Sequence, residues 1–267
     1  MVSAEQVLSP LDDKGSVPWK DKLRASGIHL SVSLAIGLLA ALLVFGIWYP
    51  YPYREVSGGR ELFLLVVSVD VILGPLITFV IFNRRKPMRE LKRDLAIVVL
   101  IQLAALGYGL WTVFIARPVH LVFEIDRFRV VHAVDVDPQL LTRKSPALEA
   151  MPLLGPTLLA VRGFRDAKEN FDATMGALAG ADIAARPDFW MAYSAAKSEV
   201  LAAAKPVTAL KIRFDKSAAQ IDQVLRGAAR TAETTIYLPM VGRKEFWTVF
   251  LDPATAEVVG FMPLDSF

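Results

Sequence analysis

The sequence predicts a membrane protein, with three transmembrane α-helices followed by an α+β extracytoplasmic domain that has a mostly antiparallel sheet. Three observations predict it. The first 116 residues hold three long apolar runs, the short loops between those runs differ in basic charge, and beyond Ala116 the apolar residues fall into short alternating and helical periods. Composition agrees: of 267 residues 54% are hydrophobic and 21% charged, with mean hydropathy +0.42. That excess of apolar residues excludes disorder and favours a membrane chain over a soluble one. The absence of cysteine excludes disulfides, zinc–cysteine sites, Fe–S clusters and thiol catalysis.

The first run is Ile28 to Tyr49, and no Asp, Glu, Lys or Arg lies between Ala25 and Tyr53. At 1.5 Å per residue it covers roughly 33 Å, enough for a bilayer core. It is too long for a signal-peptide core, and Pro50-Tyr51-Pro52-Tyr53 is no small-residue cleavage site, so it reads as an uncleaved anchor. The second run, 62–82, is interrupted only by Asp70, and the third, 95–116, carries no charge. These spans make a transmembrane domain over 25–116. Between the second and third spans stand Arg84, Arg85, Lys86, Arg89, Lys92 and Arg93, against only Arg54 and Arg60 between the first and second. The basic loop belongs in the cytoplasm. Residues 1–24, with Lys20, Lys22 and Arg24, then form a cytoplasmic tail, and everything after Ala116 lies on the far side, the periplasm of a bacterium.

Residues 117–267 carry 18 basic and 18 acidic side chains, so the net charge of +3 lies wholly in the membrane half. A nucleic-acid footprint needs a basic stripe on a folded domain, and none is present by composition. Alternation over 119–125 and 128–136 predicts a hairpin turning at Asp126-Arg127. A strand is expected at 157–162, helices at 166–178, 187–204 and 215–229, and strands at 235–241, 246–251 and 257–262. Phe123, Val130, Ile212, Val249 and Phe261 are the expected core.

Candidate chemistry is sparse. His120, His132 and Glu124 on the hairpin offer metal-ligand types, but two polar faces of an ordinary hairpin are the preferred explanation, and the expectation is no metal and no cofactor. No nucleophile elbow, P-loop or zincin motif occurs, so no catalytic residue is assigned and the chain reads as a non-enzyme. Gly58-Gly59-Arg60-Glu61 reads as the turn into the second span, with Glu61 at the positive end of that helix. Asp70 is the exception. A carboxylate in hydrocarbon costs roughly 2.5–3.5 kcal/mol on insertion scales, so it needs a partner. Tyr108 lies at matching depth in the third span. Pro75 frees the Val71 carbonyl, and Gln102 lies near that level. Asp70, Pro75, Gln102 and Tyr108 are therefore expected to form a polar seam, either as glue between helices or as a docking point for a partner's membrane helix. Gly37/Ala41 and Ala105/Gly109 have the small-x-x-x-small spacing of close helix contacts.

Trp48-Tyr49-Pro50, Gly58-Gly59-Arg60-Glu61-Leu62 and Val69-Asp70-Val71-Ile72-Leu73-Gly74-Pro75-Leu76 resemble, in order, the TfpX/TfpZ family of type IV pilin accessory proteins. The resemblance continues through Asp94-Leu95-Ala96, Gln102 to Gly109, Ala116-Arg117-Pro118, Phe123 to Phe128 and Leu238-Pro239-Met240-Val241-Gly242-Arg243-Lys244. It implies a multi-pass protein of the bacterial inner membrane that assists pilin stability, pilus assembly or twitching motility. The implied partners are the major pilin, other assembly proteins and membrane lipids, with self-association open and nucleic acid not expected. It implies no reaction. The residues alone leave a second reading open, a membrane-anchored periplasmic sensory or ligand-binding module, although no cytoplasmic domain follows the spans to transmit a signal.

Overall fold

The computed structural model describes residues 19–83 and 86–267. The expected tail before Trp19, and Arg84 and Arg85 of the basic loop, lie outside the described residues. The chain divides into two compact units. One contains the residues up to Leu38 with Val66–Tyr108, and the other contains Leu39–Leu65 with Gly109–Phe267.

Helix α1 (Trp19–Leu43) continues through a π-helical segment, Val44–Trp48; α3 (Gly59–Ile81) and α4 (Met88–Ile115) follow, with the short α2 (Tyr53–Val56) in the first connection. The three long helices are each apolar enough to cross a membrane, and only 17–22% of each apolar window is buried within the chain. In the first unit, Gly37 of α1 faces Val67 of α3 so closely that a Cβ would stand 3.1 Å from the valine methyl. That contact uses the glycine of the predicted small-residue pair.

The second unit is built on one sheet with strand order β4-β3-β1-β2-β6-β7-β8, and a two-residue β5 (Lys205–Pro206) pairs with β6. The strands are β1 (Pro118–Glu124), β2 (Arg127–His132), β3 (Thr157–Val161), β4 (Trp190–Ala192), β6 (Ile236–Val241), β7 (Phe246–Leu251) and β8 (Val258–Met262). The expectation of a mostly antiparallel sheet is corrected: the sheet is mixed, because β1 pairs with β3 and β2 with β6 in parallel. The reason is the connections. After β2 the chain stays at the starting end of β1 through 133–156 and enters β3 from that end. Helix α5 (Ala167–Leu178) lies between β3 and the antiparallel β4, and between β4 and β6, which run in the same direction, α6 (Lys197–Ala203), α7 (Val207–Arg213) and α8 (Ala218–Gly227) supply the crossover that parallel strands need. Side-chain alternation reports the face of a strand, not its direction.

Local corrections follow the same logic. Phe123 pairs with Phe128 and Glu124 with Arg127, so the hairpin turns at Ile125-Asp126, one residue earlier than expected. The helix expected over 187–204 is instead a 3-10 turn, β4 and a second 3-10 turn before α6. There Trp190, Met191 and Ala192 pair with β3, so sheet pairing overrides the helical period. Helix α7 was not foreseen, and the expected helix over 215–229 begins only at Ala218.

Phe123, Val130 and Val249 are buried as expected, and Phe261 packs at the edge of the same cluster. Ile212 is 82% exposed. Val207 and Leu210 turn inward on α7, and a residue two beyond Leu210 is rotated about 200° away from it.

Candidate functional site

Within the first unit, the polar residues of the helices meet. Asp70, Gly74 and Thr78 repeat every fourth residue on α3 and so share one face. The Gln102 side chain from α4 reaches this face. Its Nε2 donates to the Asp70 carbonyl at 3.3 Å. Gly74 makes room for it, since a Cβ at that position would overlap the Gln102 amide. From α1, the Ser26 hydroxyl donates to the Pro75 carbonyl at 2.8 Å, and His29 Nδ1 lies 2.5 Å from Thr78 Oγ1. A cavity of about 190 Å³ opens beside Asp70, lined by His29, Val32, Ser33, Ile36, Gln102 and Leu106 among others.

The structure thus brings Asp70, Pro75 and Gln102 into one seam and leaves Tyr108 outside it. Tyr108 is 75% exposed and does not line the cavity. Tyr108 is six residues beyond Gln102, which puts it about 240° round the helix, so matching depth did not mean matching face. Gln102 bonds the carbonyl of Asp70 rather than that of Val71, one residue from the expected acceptor. Ser26, His29 and Thr78 were not anticipated as members of the seam. The four-residue repeat of Asp70, Gly74 and Thr78 is the signal that marks the face.

The second unit contains a collar where helix ends meet the sheet, and the family-like sequence motifs converge on it. Tyr49 is buried and its hydroxyl donates to the Val113 carbonyl at 3.1 Å. Gly59 lies flat against the Tyr49 ring, where any Cβ would collide. Tyr53 and Val56 of α2 belong to the same buried cluster as Phe123, Phe128, Met240 and Trp247. The turn between β6 and β7 closes on α2: Gly242 packs against the Val56 side chain and carbonyl, and the Lys244 amide donates to Val56 O at 3.2 Å. Lys244 Nζ pairs with Glu61, and Arg243 Nη2 with Asp135 at 2.6 Å. Motifs far apart in the chain are therefore neighbours because they build this junction.

The hairpin's candidate ligands have other partners. His120 is fully buried; its Nε2–H donates to the Ala150 carbonyl at 3.0 Å, which leaves Nδ1 to accept from the Thr157 hydroxyl at 2.7 Å. Burial holds its pKa down to about 4, so the ring is neutral. Glu124 accepts from Arg129 Nε at 2.8 Å, and burial raises its carboxyl above the ordinary range despite that pairing. His132 Nδ1 faces Asp135 at 3.2 Å; burial lowers the imidazole, and although burial alone would raise the Asp135 carboxyl, the hydrogen bonds from His132 and the charge of Arg243 together hold it low. Among the described residues, no three such side chains are grouped to hold a metal.

Comparison with known proteins places this arrangement. Residues 17–58 match the family model described as fimbrial assembly protein FimB. The serogroup I fimbrial assembly protein of Dichelobacter nodosus is 36% identical over 246 residues, covering 91% of this chain and 95% of the relative. The chain belongs to the fimbrial assembly protein family. The serogroup E1 protein of the same organism matches to the same extent. The protein of serogroups C1 and C2 is 41% identical over 113 residues, 42% of this chain and 86% of that relative. No solved structure matches the chain. The shared stretch with the serogroup I protein is long enough to include both membrane-length helices and sheet, so the family likeness is not confined to the apolar segments.

Proposed function

We propose that this chain is a non-enzymatic accessory protein of the bacterial inner membrane that assists assembly of type IV pili, in the manner of the TfpX/TfpZ proteins. The observation that carries the reading is the near full-length similarity to a fimbrial assembly protein. On this reading the N-terminus is cytoplasmic and the sheet domain periplasmic. The partner is the pilin subunit before assembly, which presents an apolar helix in the membrane and a globular head outside it. Three spans and one periplasmic domain match both parts of such a partner.

The Asp70 cavity supports a specific contact. It offers one carboxylate, with His29, Ser33 and Gln102 as the other polar groups, in a site of about 190 Å³ whose remaining lining is aliphatic. A cationic group on an entering helix would pair with that carboxylate where water is scarce, and a neutral helix would leave it unpaired, which gives selectivity. The test is Asp70→Asn in a piliated host. The expected outcome is unchanged protein level with less pilin copurified in mild detergent and fewer surface pili. Normal piliation at normal protein level would reduce Asp70 to a structural tie with Gln102.

A further inference from the structure

Leu154 is 85% exposed, the highest value for any large apolar side chain among the described residues, and Leu153 beside it is 55% exposed. Their backbone is clamped. Pro152 and Gly155 on either side are buried. The Pro152 carbonyl accepts from Arg117 Nη2 at 3.5 Å. Gly155, at φ +86°, lies against the end of the first long helix, where an added Cβ would stand 3.4 Å from the Ile47 carbonyl and 3.6 Å from Pro50 Cγ. Arg117 is itself fixed on the last turn of α4: Nη1 donates to the Phe114 carbonyl at 2.9 Å, and the guanidinium lies 3.9 Å from the Phe114 ring centroid. Two leucines therefore project from a bend packed against the ends of two membrane-length helices.

The surroundings name the occupant. Trp48 and Trp111 both pack on Phe114, with centroids 5.0 and 6.0 Å apart, and Trp111 is 58% exposed. Amphipathic rings at the end of an apolar helix mark the headgroup level of a bilayer. Between Ala147 and Pro156 the only charge is Glu149. A pair of exposed leucines beside those rings meets acyl chains rather than water.

We propose that Leu153 and Leu154 form a lipid-inserting tip that docks the sheet domain onto the outer leaflet beside its own spans. The tip supplies a further point of attachment, separate from the helices, and so fixes the tilt of the domain on the membrane. The inference rests on reading α1, α3 and α4 as membrane spans.

The native chain has no cysteine, so single-cysteine labelling is clean. Leu154→Cys in the full-length protein is labelled with bimane and reconstituted in phosphatidylcholine vesicles with and without shallow doxyl-labelled lipid. A tip buried in the acyl–headgroup boundary, about 5–10 Å below the surface, loses emission to the shallow doxyl lipid. Ile212→Cys is the water-exposed control, since α7 begins beside Thr235, at the end of β6 opposite the Gly242 turn on α2. Leu100→Cys, 68% exposed on α4, is the membrane control. Quenching at 154 and 100 but not at 212 supports the tip. Quenching at 100 alone overturns the tip while leaving the spans intact. No quenching at 100 overturns the spanning reading itself. A blue-shifted but unquenched label at 154 overturns the lipid assignment in favour of cover by protein.

Discussion

Single residues carry two kinds of stress in this fold, backbone strain and buried titratable groups. Ile125, with φ +57°, is a β-branched side chain in the left-handed region at the hairpin turn, and it is 72% exposed, so packing does not hold it there. Ile125→Gly removes a strain of about 1–2 kcal/mol and adds an entropic cost of about 0.5–1 kcal/mol. The expected net is a small rise in the urea midpoint of unfolding. His120 gives a pH dependence of definite sign. Its folded pKa lies near 4, below the ordinary 6.5, so on acidification the unfolded chain takes up the proton first. The neutral ring's contribution is complete above pH 6.5 and is lost as pH falls towards 4, by about 2 kcal/mol between pH 6.5 and 4.5. Thermal midpoints followed by tryptophan fluorescence across that range should fall, and His120→Gln should flatten the slope. His132, shifted in the same direction by burial, leaves a residual slope in that variant.

At the scale of elements, the collar sets a close backbone approach beside an exposed ion pair, and the two should differ in weight. Lys244 and Glu61 are 48% and 57% exposed at their side chains, and pairs of that kind contribute at most about 1 kcal/mol. Gly242 is different, because a Cβ there meets the Val56 side chain, the Val56 carbonyl and the Glu245 carbonyl together. Neither backbone atom can move without unseating the turn or α2. Gly242→Ala should cost about 1–3 kcal/mol, and Lys244→Ala less than half of that, both read as shifts in denaturant midpoint of the full chain in detergent. A larger loss from Lys244→Ala than from Gly242→Ala would show that charge, not packing, closes the collar. In the seam, Gly74→Ala should displace Gln102 from Asp70, since the new methyl occupies the position of the amide. Gln102→Ala in that background restores the space, so the double variant should be more stable than the Gly74→Ala single.

For the whole molecule, two expectations follow. A periplasm-dependent reporter fused after Phe267 should be active, and one fused within the loop of Lys86 should be silent, as the basic loop requires. The isolated fragment 117–267 should unfold cooperatively but at a lower urea concentration than the full chain, because it lacks Tyr53 and Val56, which pack into its main cluster. Equal midpoints would show that the sheet domain is indifferent to the collar.

Apolar run length and the two periods of hydrophobicity were enough to read three membrane-length helices and an α+β domain from residues alone, because each is a local property of the chain. Asp70 stood out for the same reason: a carboxylate in an apolar run is conspicuous without a structure. What the seam contains was not legible, since depth is countable along a helix but the facing side depends on how three helices rotate against one another. That rotation put Gln102 at Asp70 and turned Tyr108 outward, and it brought Ser26, His29 and Thr78 into the group. The parallel pairings of β1 with β3 and β2 with β6 were equally hidden, because strand direction is decided by where long connections return. The collar is the clearest division between the two sources: its motifs were visible in the sequence as separate pieces. Only the tertiary structure showed that Tyr49 with Gly59, and Val56 with Gly242, are contacts, because two glycines let ring and backbone approach at distances no other residue permits.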